Sequence, residues 1–232
     1  MLVYLADSDA SALYFFGTLY GEELKIIKFL LKNLKENDVF YDIGANYGFY
    51  TILAQEFITE GEIHSFEPNP KIFKILKENC KLNIFKNTYL NEIALSDKNG
   101  GVEFYDRDIA RQSGGSSLIK HEHFKKYKVI KVKTMKLDDY ILIHKPPTIM
   151  KIDVEGAEPF VLKGATNLIK NYNPTIIMEF GSDNLHREAV EILLNNDYKL
   201  YRLDKEGNLI IADQNELFKK DSQFEANYVF KK

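Results

Sequence analysis

Short apolar runs alternate with amphipathic segments along the first 180 residues, and the clearest junction is Val39-Phe40-Tyr41-Asp42-Ile43 running into Gly44-Ala45-Asn46-Tyr47-Gly48. The run is too short and too rich in β-branched and aromatic residues for a helix, so it reads as a buried strand. Two glycines allow the sharp turn that leads into a helix from about residue 48 to 57. A second strand, Ile63 to Phe66, ends in Glu67-Pro68-Asn69-Pro70, where proline stops the strand and opens the next helix. Further strands are expected at about 89–94, 148–152 and 175–179, with helices at about 21–34, 159–170 and 186–194. This alternation predicts an α/β, Rossmann-like fold: a mostly parallel, doubly wound sheet with an antiparallel edge strand drawn from the tail.

A chain of 232 residues without an internal repeat or Pro/Gly/Ser-rich linker is expected to form a single domain over 1–232. Within it, 1–36 reads as a helical lead-in, 101–134 as an inserted β-rich flap and 198–232 as C-terminal strands. The formal charge of -3 offers no overall attraction to a polyanion, so nucleic acid is not the expected partner. Lysines at 120, 125, 126, 128, 131, 133 and 136 are dense, yet Val129, Ile130 and Val132 among them describe the wet face of a strand. Cys80 is the only cysteine and falls in a helical stripe with Phe73 and Leu76, as a small apolar residue would. With no leader pattern and no apolar run near ~18 residues, no membrane span is expected and a cytoplasmic setting is.

In an open α/β sheet, ligands bind at the carboxyl ends of the strands. A dinucleotide site would want glycines at 44, 46 and 49, but Asn46 and Phe49 fill two of these places, which suits a nucleoside without phosphates. Glu67 follows Gly48 by 19 residues (67 minus 48), close to the spacing of an acid that grips ribose hydroxyls. The simpler alternatives are that Glu67 caps the helix at Pro70 and that Asp42 only ends a strand. A third segment, Lys151-Ile152-Asp153-Val154-Glu155-Gly156-Ala157-Glu158, ends the next strand of the sheet. There Asp153 and Glu155 are expected to face the same cleft as Gly44, with Glu179 ending the strand after it.

The combination resembles the FkbM-type methyltransferases over roughly residues 20–181. Their Asp-x-Gly-Ala-Asn-x-Gly is matched by Asp42 to Gly48, their Phe-Glu-Pro by Phe66 to Pro68, and their Lys-Ile-Asp-Val-Glu-Gly-Ala-Glu by Lys151 to Glu158. Lesser matches are Ala94-Leu95-Ser96-Asp97, Ser116-Ser117-Leu118, Leu162-Lys163-Gly164-Ala165 and Met178-Glu179-Phe180. The resemblance implies S-adenosylmethionine as cofactor, with Asp42, Gly44, Ala45, Asn46 and Gly48 around its methionine moiety, Glu67 and Pro68 at the ribose, and Ser96 and Asp97 near the adenine. It also implies O-methylation of a sugar, glycan or secondary-metabolite acceptor without a required metal.

Methyl transfer from a sulfonium is an in-line displacement, so alignment and exclusion of water supply most of the rate. A base that takes the hydroxyl proton adds ~10²–10⁴-fold. Asp153, Glu155 and Glu179 are the candidates, Asp153 also bordering the cofactor; His121 and His123 are weaker ones that read more simply as solvated surface groups. If the three acids converged they would also suit a hard divalent cation. Asp153 and Glu155 have a simpler reading too, as acceptors for backbone amides in the turn before the helix. The flap carries Phe104, Tyr105, Arg107, Arg111, Gln112, Phe124 and Tyr127, a mixture of ring faces and polar donors suited to a sugar. The rival readings are an RNA or protein methyltransferase, a non-catalytic nucleoside-binding module, and an NAD-dependent enzyme, the last disfavoured by Asn46 and Phe49.

Overall fold

The computed structural model describes residues 1–3, 21–83, 87–107, 116–120, 127–180, 184–217 and 226–232. Strand β1 (Val39–Ile43) is buried along its whole length, which explains why it is apolar but for Asp42: a parallel strand covered on both faces has no wet side. It pairs in parallel with β2 (Glu62–Phe66) on one side and β7 (Ile149–Ile152) on the other, while β3 (Thr88–Asn91) and β8 (Thr175–Phe180) extend the sheet outward. The full order is β10-β9-β11-β8-β7-β1-β2-β3, with β9 at Lys199–Leu203, β10 at Leu209–Ile211 and β11 at Ala226–Lys231. The chain leaves β1 toward β2 and returns on the opposite side at β7, so the switch point lies between β1 and β7.

Period-two alternation sends the two halves of each strand's side chains to different layers. Tyr41, Ile43, Met150, Ile152, Ile176 and Met178 pack with Val161, Leu162, Leu168, Ile169 and Val190 of α5 (Glu158–Lys163), α6 (Thr166–Tyr172) and α7 (Asn184–Leu194). Phe40, Ile63, Ile149 and Ile177 pack on the other face with Ile26, Leu30, Tyr50 and Ala54 of α1 (Glu22–Asn33) and α2 (Phe49–Gln55). Cys80 sits as expected in α3 (Pro70–Leu82), against Leu76, Phe73 and Ala45, and burial pushes its thiol up to about 11.

The mostly parallel sheet with an antiparallel edge is observed, and the tail builds that edge in a particular order. Antiparallel β11 inserts between β8 and β9, and β10 closes the edge antiparallel to β9. Two elements differ from expectation. The single helix expected at 159–170 is split into α5 and α6 at Gly164, where a Cβ would meet the Ser96 carbonyl oxygen at 2.1 Å. The Asp138 carboxylate, on the short helix α4 (Leu137–Tyr140), then accepts from Asn167 and Leu168 N–H and starts α6 afresh. The strand expected at 89–94 likewise ends at Asn91, and Ala94–Leu95 become β4 of a second sheet.

That second sheet, ordered β4-β6-β5, is the flap read from the sequence: β5 (Gly100–Asp106) and β6 (Lys128–Met135) are antiparallel. Phe104 and Val132 form a small core with Ala94, Leu118 and Ile130. Lys128, Lys131 and Lys133 are exposed, and Lys131 stands opposite Glu103, as the wet face of a strand requires. His121, His123, Arg111, Gln112, Phe124, Lys125 and Lys126 lie outside the described residues, as do 4–20 of the lead-in. Among the described residues no helix is long and apolar enough to cross a membrane.

Candidate functional site

The turn after β1 needs left-handed backbone at three places: Gly44 (φ 82°), Asn46 (φ 50°) and Gly48 (φ 87°). Glycine adopts this freely, and asparagine is among the residues that tolerate it best. Gly44 also allows a close approach, since a Cβ there would lie 1.8 Å from the Asp153 carbonyl oxygen. Gly44 and Ala45 N–H both donate to the Phe66 carbonyl at 3.0 Å, which locks the turn to the end of β2. The Ala45 side chain faces inward onto Leu76 and Cys80.

Glu67 is buried and accepts two backbone hydrogen bonds, Asn46 N–H on Oε2 at 3.0 Å and Asn69 N–H on Oε1 at 2.8 Å. The turn and the acid that sequence spacing paired are therefore in direct contact. The helix-capping alternative fails, because Asn69 caps α3 with its own side chain, accepting from Lys71 N–H at 3.1 Å. Burial raises the Glu67 carboxyl to about 7, helped by the Asp42 and Asp106 charges, against the two backbone donors that lower it. Each of its oxygens keeps a second lone pair for a ligand hydroxyl. Asp42 lies beneath the turn, accepting from the Thr51 hydroxyl at 2.6 Å, and Thr51 reaches Ser65 at 2.7 Å. Burial raises Asp42, while Lys151 and Thr51 act in the opposite direction.

Across the switch point, Asp153, Glu155 and Glu179 each place a carboxylate oxygen within 4.8 Å of the others. The acids expected to share a cleft do converge, and their set suits a hard cation by donor type. A positive charge is already built in: Lys151 is buried, with Nζ 2.6 Å from Asp153 Oδ2 and 4.7 Å above the Tyr50 ring. Burial alone would discharge this ammonium, and Asp153, Glu23 and Asp42 hold it charged, raising it above its ordinary value. Glu179 is raised far above the carboxylate range by burial and by the charges of Asp153, Glu155 and Glu158. That shift favours its protonated form and works against a role as base. Glu158 satisfies a backbone amide in the turn, accepting from Val154 N–H at 3.0 Å, with His186 Nε2 3.6 Å from its other oxygen.

Ser96 and Asp97 follow β4. Ser96 N–H donates to the Met135 carbonyl at 3.0 Å, its own carbonyl packs on Gly164, and its hydroxyl reaches Asp97. Lys151, Thr51, Asn69 and Asp106 had no role assigned from sequence. Lys151 was within reach, because i and i+2 of a strand share a face, and Lys151 and Asp153 are so spaced. The flap touches both halves of the site: Asp106, ending β5, accepts from Asn69 Nδ2 at 2.8 Å, and Ser117 Oγ donates to the Val154 carbonyl at 3.0 Å.

Residues 42–200 match the methyltransferase FkbM domain. The chain is 30% identical over 164 residues to the hexuronic acid methyltransferase AglP of Haloferax volcanii, covering 68% of this chain and 62% of that protein. It is 23% identical over 229 residues to the methyltransferase sdnD of Sordaria araneosa, covering 84% of this chain and 85% of that one. Among solved structures, the methyltransferase FkbM of Methylobacillus flagellatus superposes with a TM-score of 0.52 at 17% identity, covering 97% of this chain and 48% of the other. The chain thus spans under two thirds of the length of two of these proteins, and the structural likeness establishes the Rossmann-like fold.

Proposed function

Because the chain belongs to the FkbM methyltransferase family, we propose that it uses S-adenosylmethionine to O-methylate a hydroxyl of a sugar, glycan or other small-molecule acceptor. The observation that carries the cofactor assignment is the Asn46 N–H on Glu67 Oε2, which joins a phosphate-free glycine turn to a ribose-gripping acid. The name of the archaeal relative, a hexuronic acid methyltransferase, supports a sugar acceptor. A cytoplasmic setting belongs to the same proposal, supported by the lone buried thiol of Cys80.

The residues present suit the cofactor. Gly44, with no room for a Cβ, lets the turn close against the Asp153 segment, and Asp42, Gly44, Ala45, Asn46 and Gly48 would surround the methionine moiety. Glu67 and Pro68 would hold the ribose; Ser96 and Asp97 are assigned to the adenine end by family resemblance alone. When bound, S-adenosylmethionine supplies a methyl group activated by a sulfonium. Asp153, clamped by Lys151 and retaining 30% side-chain exposure, would accept the acceptor's hydroxyl proton. Glu155 and protonated Glu179 would orient the acceptor as hydrogen-bond partners. The flap would exclude water from above.

A screen of sugar, lipid-linked and small hydroxylated acceptors with labelled S-adenosylmethionine tests this reading; no labelled product from any class, together with no binding of cofactor, would sink it. Because the Lys151 ammonium already meets Asp153, turnover is expected to survive exhaustive chelation. Loss of activity restored by a divalent cation would assign the three acids to a metal instead.

The buried Glu67 makes cofactor affinity depend on pH. A ribose hydroxyl donates to the ionised carboxylate, and the raised Glu67 takes up its proton as pH falls through about 7. Affinity for S-adenosylhomocysteine is therefore expected to be flat above that point and to fall toward tenfold per unit below it. Calorimetry between about pH 5.5 and 8.5 checks this; a pH-independent affinity would remove Glu67 from the ligand.

A further inference from the structure

The flap lies over the acceptor side in the sequence reading, yet its first strand ends on the cofactor side. Asp106 closes β5 only 2% exposed and reaches 37 residues back to Asn69, whose Nδ2 donates to its Oδ1 at 2.8 Å. Asn69 is the residue whose backbone N–H holds Glu67 Oε1. A chain of two hydrogen bonds thus runs from the inserted strand to the ribose acid. Ser117, paired with Tyr105 next to Asp106, anchors the same strand on the Val154 carbonyl beside Asp153. Both anchors are buried, and an inserted strand held this way cannot shift without disturbing the strand ends beneath it.

We propose that Asp106 is a positioning residue for the cofactor: through Asn69 it orients Glu67 and makes the inserted strand part of the S-adenosylmethionine site. The inference rests on the cofactor reading above. The groups around this pair are Asp42 from β1, Lys71 from α3 at 3.7 Å from Asp106, and Lys128, opposite Asp106 on β6. The Asp106 charge is one of those that raise Glu67, so removing it has an electrostatic signature that a packing role alone would not produce.

The test is calorimetric titration of S-adenosylhomocysteine into wild type, Asp106→Asn and Asp106→Ala across the pH range. Asp106→Asn keeps the size and the acceptor oxygen for Asn69, so its affinity at high pH is expected to stay within about threefold of wild type. Its midpoint of pH dependence is expected to move down by about half a unit, because one carboxylate facing Glu67 is gone. Asp106→Ala also frees Asn69, and about a tenfold loss of affinity is expected at high pH together with the same downward shift of the midpoint. Wild-type affinity and midpoint in both variants would overturn the proposal. If Asp106→Ala does not fold, the near-isosteric Asp106→Asn decides alone, an unmoved midpoint counting against the inference. Failure of wild type itself to bind S-adenosylhomocysteine would be a failure of the cofactor reading, and is distinguishable on that ground.

Discussion

Replacing Asp153 with alanine is expected to lower methyl transfer by ~10²–10⁴-fold, the range for loss of a positioned general base. The structure adds a second consequence. Lys151 is buried to 2% and its Nζ sits 2.6 Å from the lost carboxylate, so the substitution strands an ammonium beneath the cleft. Breaking a buried pair from one side costs about 3–5 kcal/mol, and a fall in Tm is expected with the fall in rate. Asp42 and Glu23 also hold Lys151, which places the cost toward the lower end. Asp153→Asn keeps an oxygen for Lys151, so it is expected to recover much of the Tm and none of the rate. Kinetics with labelled cofactor and thermal melts on both variants separate the two effects. Turnover near wild type in Asp153→Ala would remove this residue from the chemistry.

Gly44→Ala is expected to abolish cofactor binding for a different reason. A side chain at φ 82° adopts left-handed backbone, at roughly 1–2 kcal/mol. The larger obstacle is that the new Cβ would stand 1.8 Å from the Asp153 carbonyl oxygen, a backbone atom that cannot rotate away. Either the glycine turn moves off β7 or the Asp153 segment moves off β1, and both open the switch point where the ligand is proposed to lie. Overpacking of this kind adds about 1–3 kcal/mol, so the Tm is expected to fall and affinity for S-adenosylhomocysteine to drop at least about a hundredfold. Calorimetry and melting curves measure both. A Gly44→Ala protein that binds like wild type would show that this contact does not shape the site.

Much of the scaffold could be read without coordinates. The strands at 39–43, 63–66, 148–152 and 175–179 were legible because short runs anchored by β-branched and aromatic residues and bounded by turns read as strands, and such a run needs no knowledge of its neighbours. The readings failed where two remote segments meet. Val161, Leu162, Leu168 and Ile169 keep helical period through Gly164, so the periodicity runs across the break; the Ser96 carbonyl that requires a glycine there and the Asp138 carboxylate that starts α6 come from remote segments. Asn91 and Ala94 read as one strand until Ala94 pairs with Thr134 of the second sheet.

The site divides along the same line. The glycine turn, Glu67 and the Asp153 segment could be placed together from sequence, because parallel strands in one sheet bring their carboxyl ends to one edge and each motif follows such an end. Which of those acids is desolvated, which accepts from a turn amide and which is clamped by a cation was decided only by the tertiary structure. Glu179 is buried among other acids that raise it, Glu158 holds the turn, Lys151 sits under Asp153, and Asp106 arrives from an inserted strand. The physical reason is range: propensity and periodicity act between neighbours in the chain, whereas desolvation and Coulomb interactions depend on distances between segments that only packing brings together.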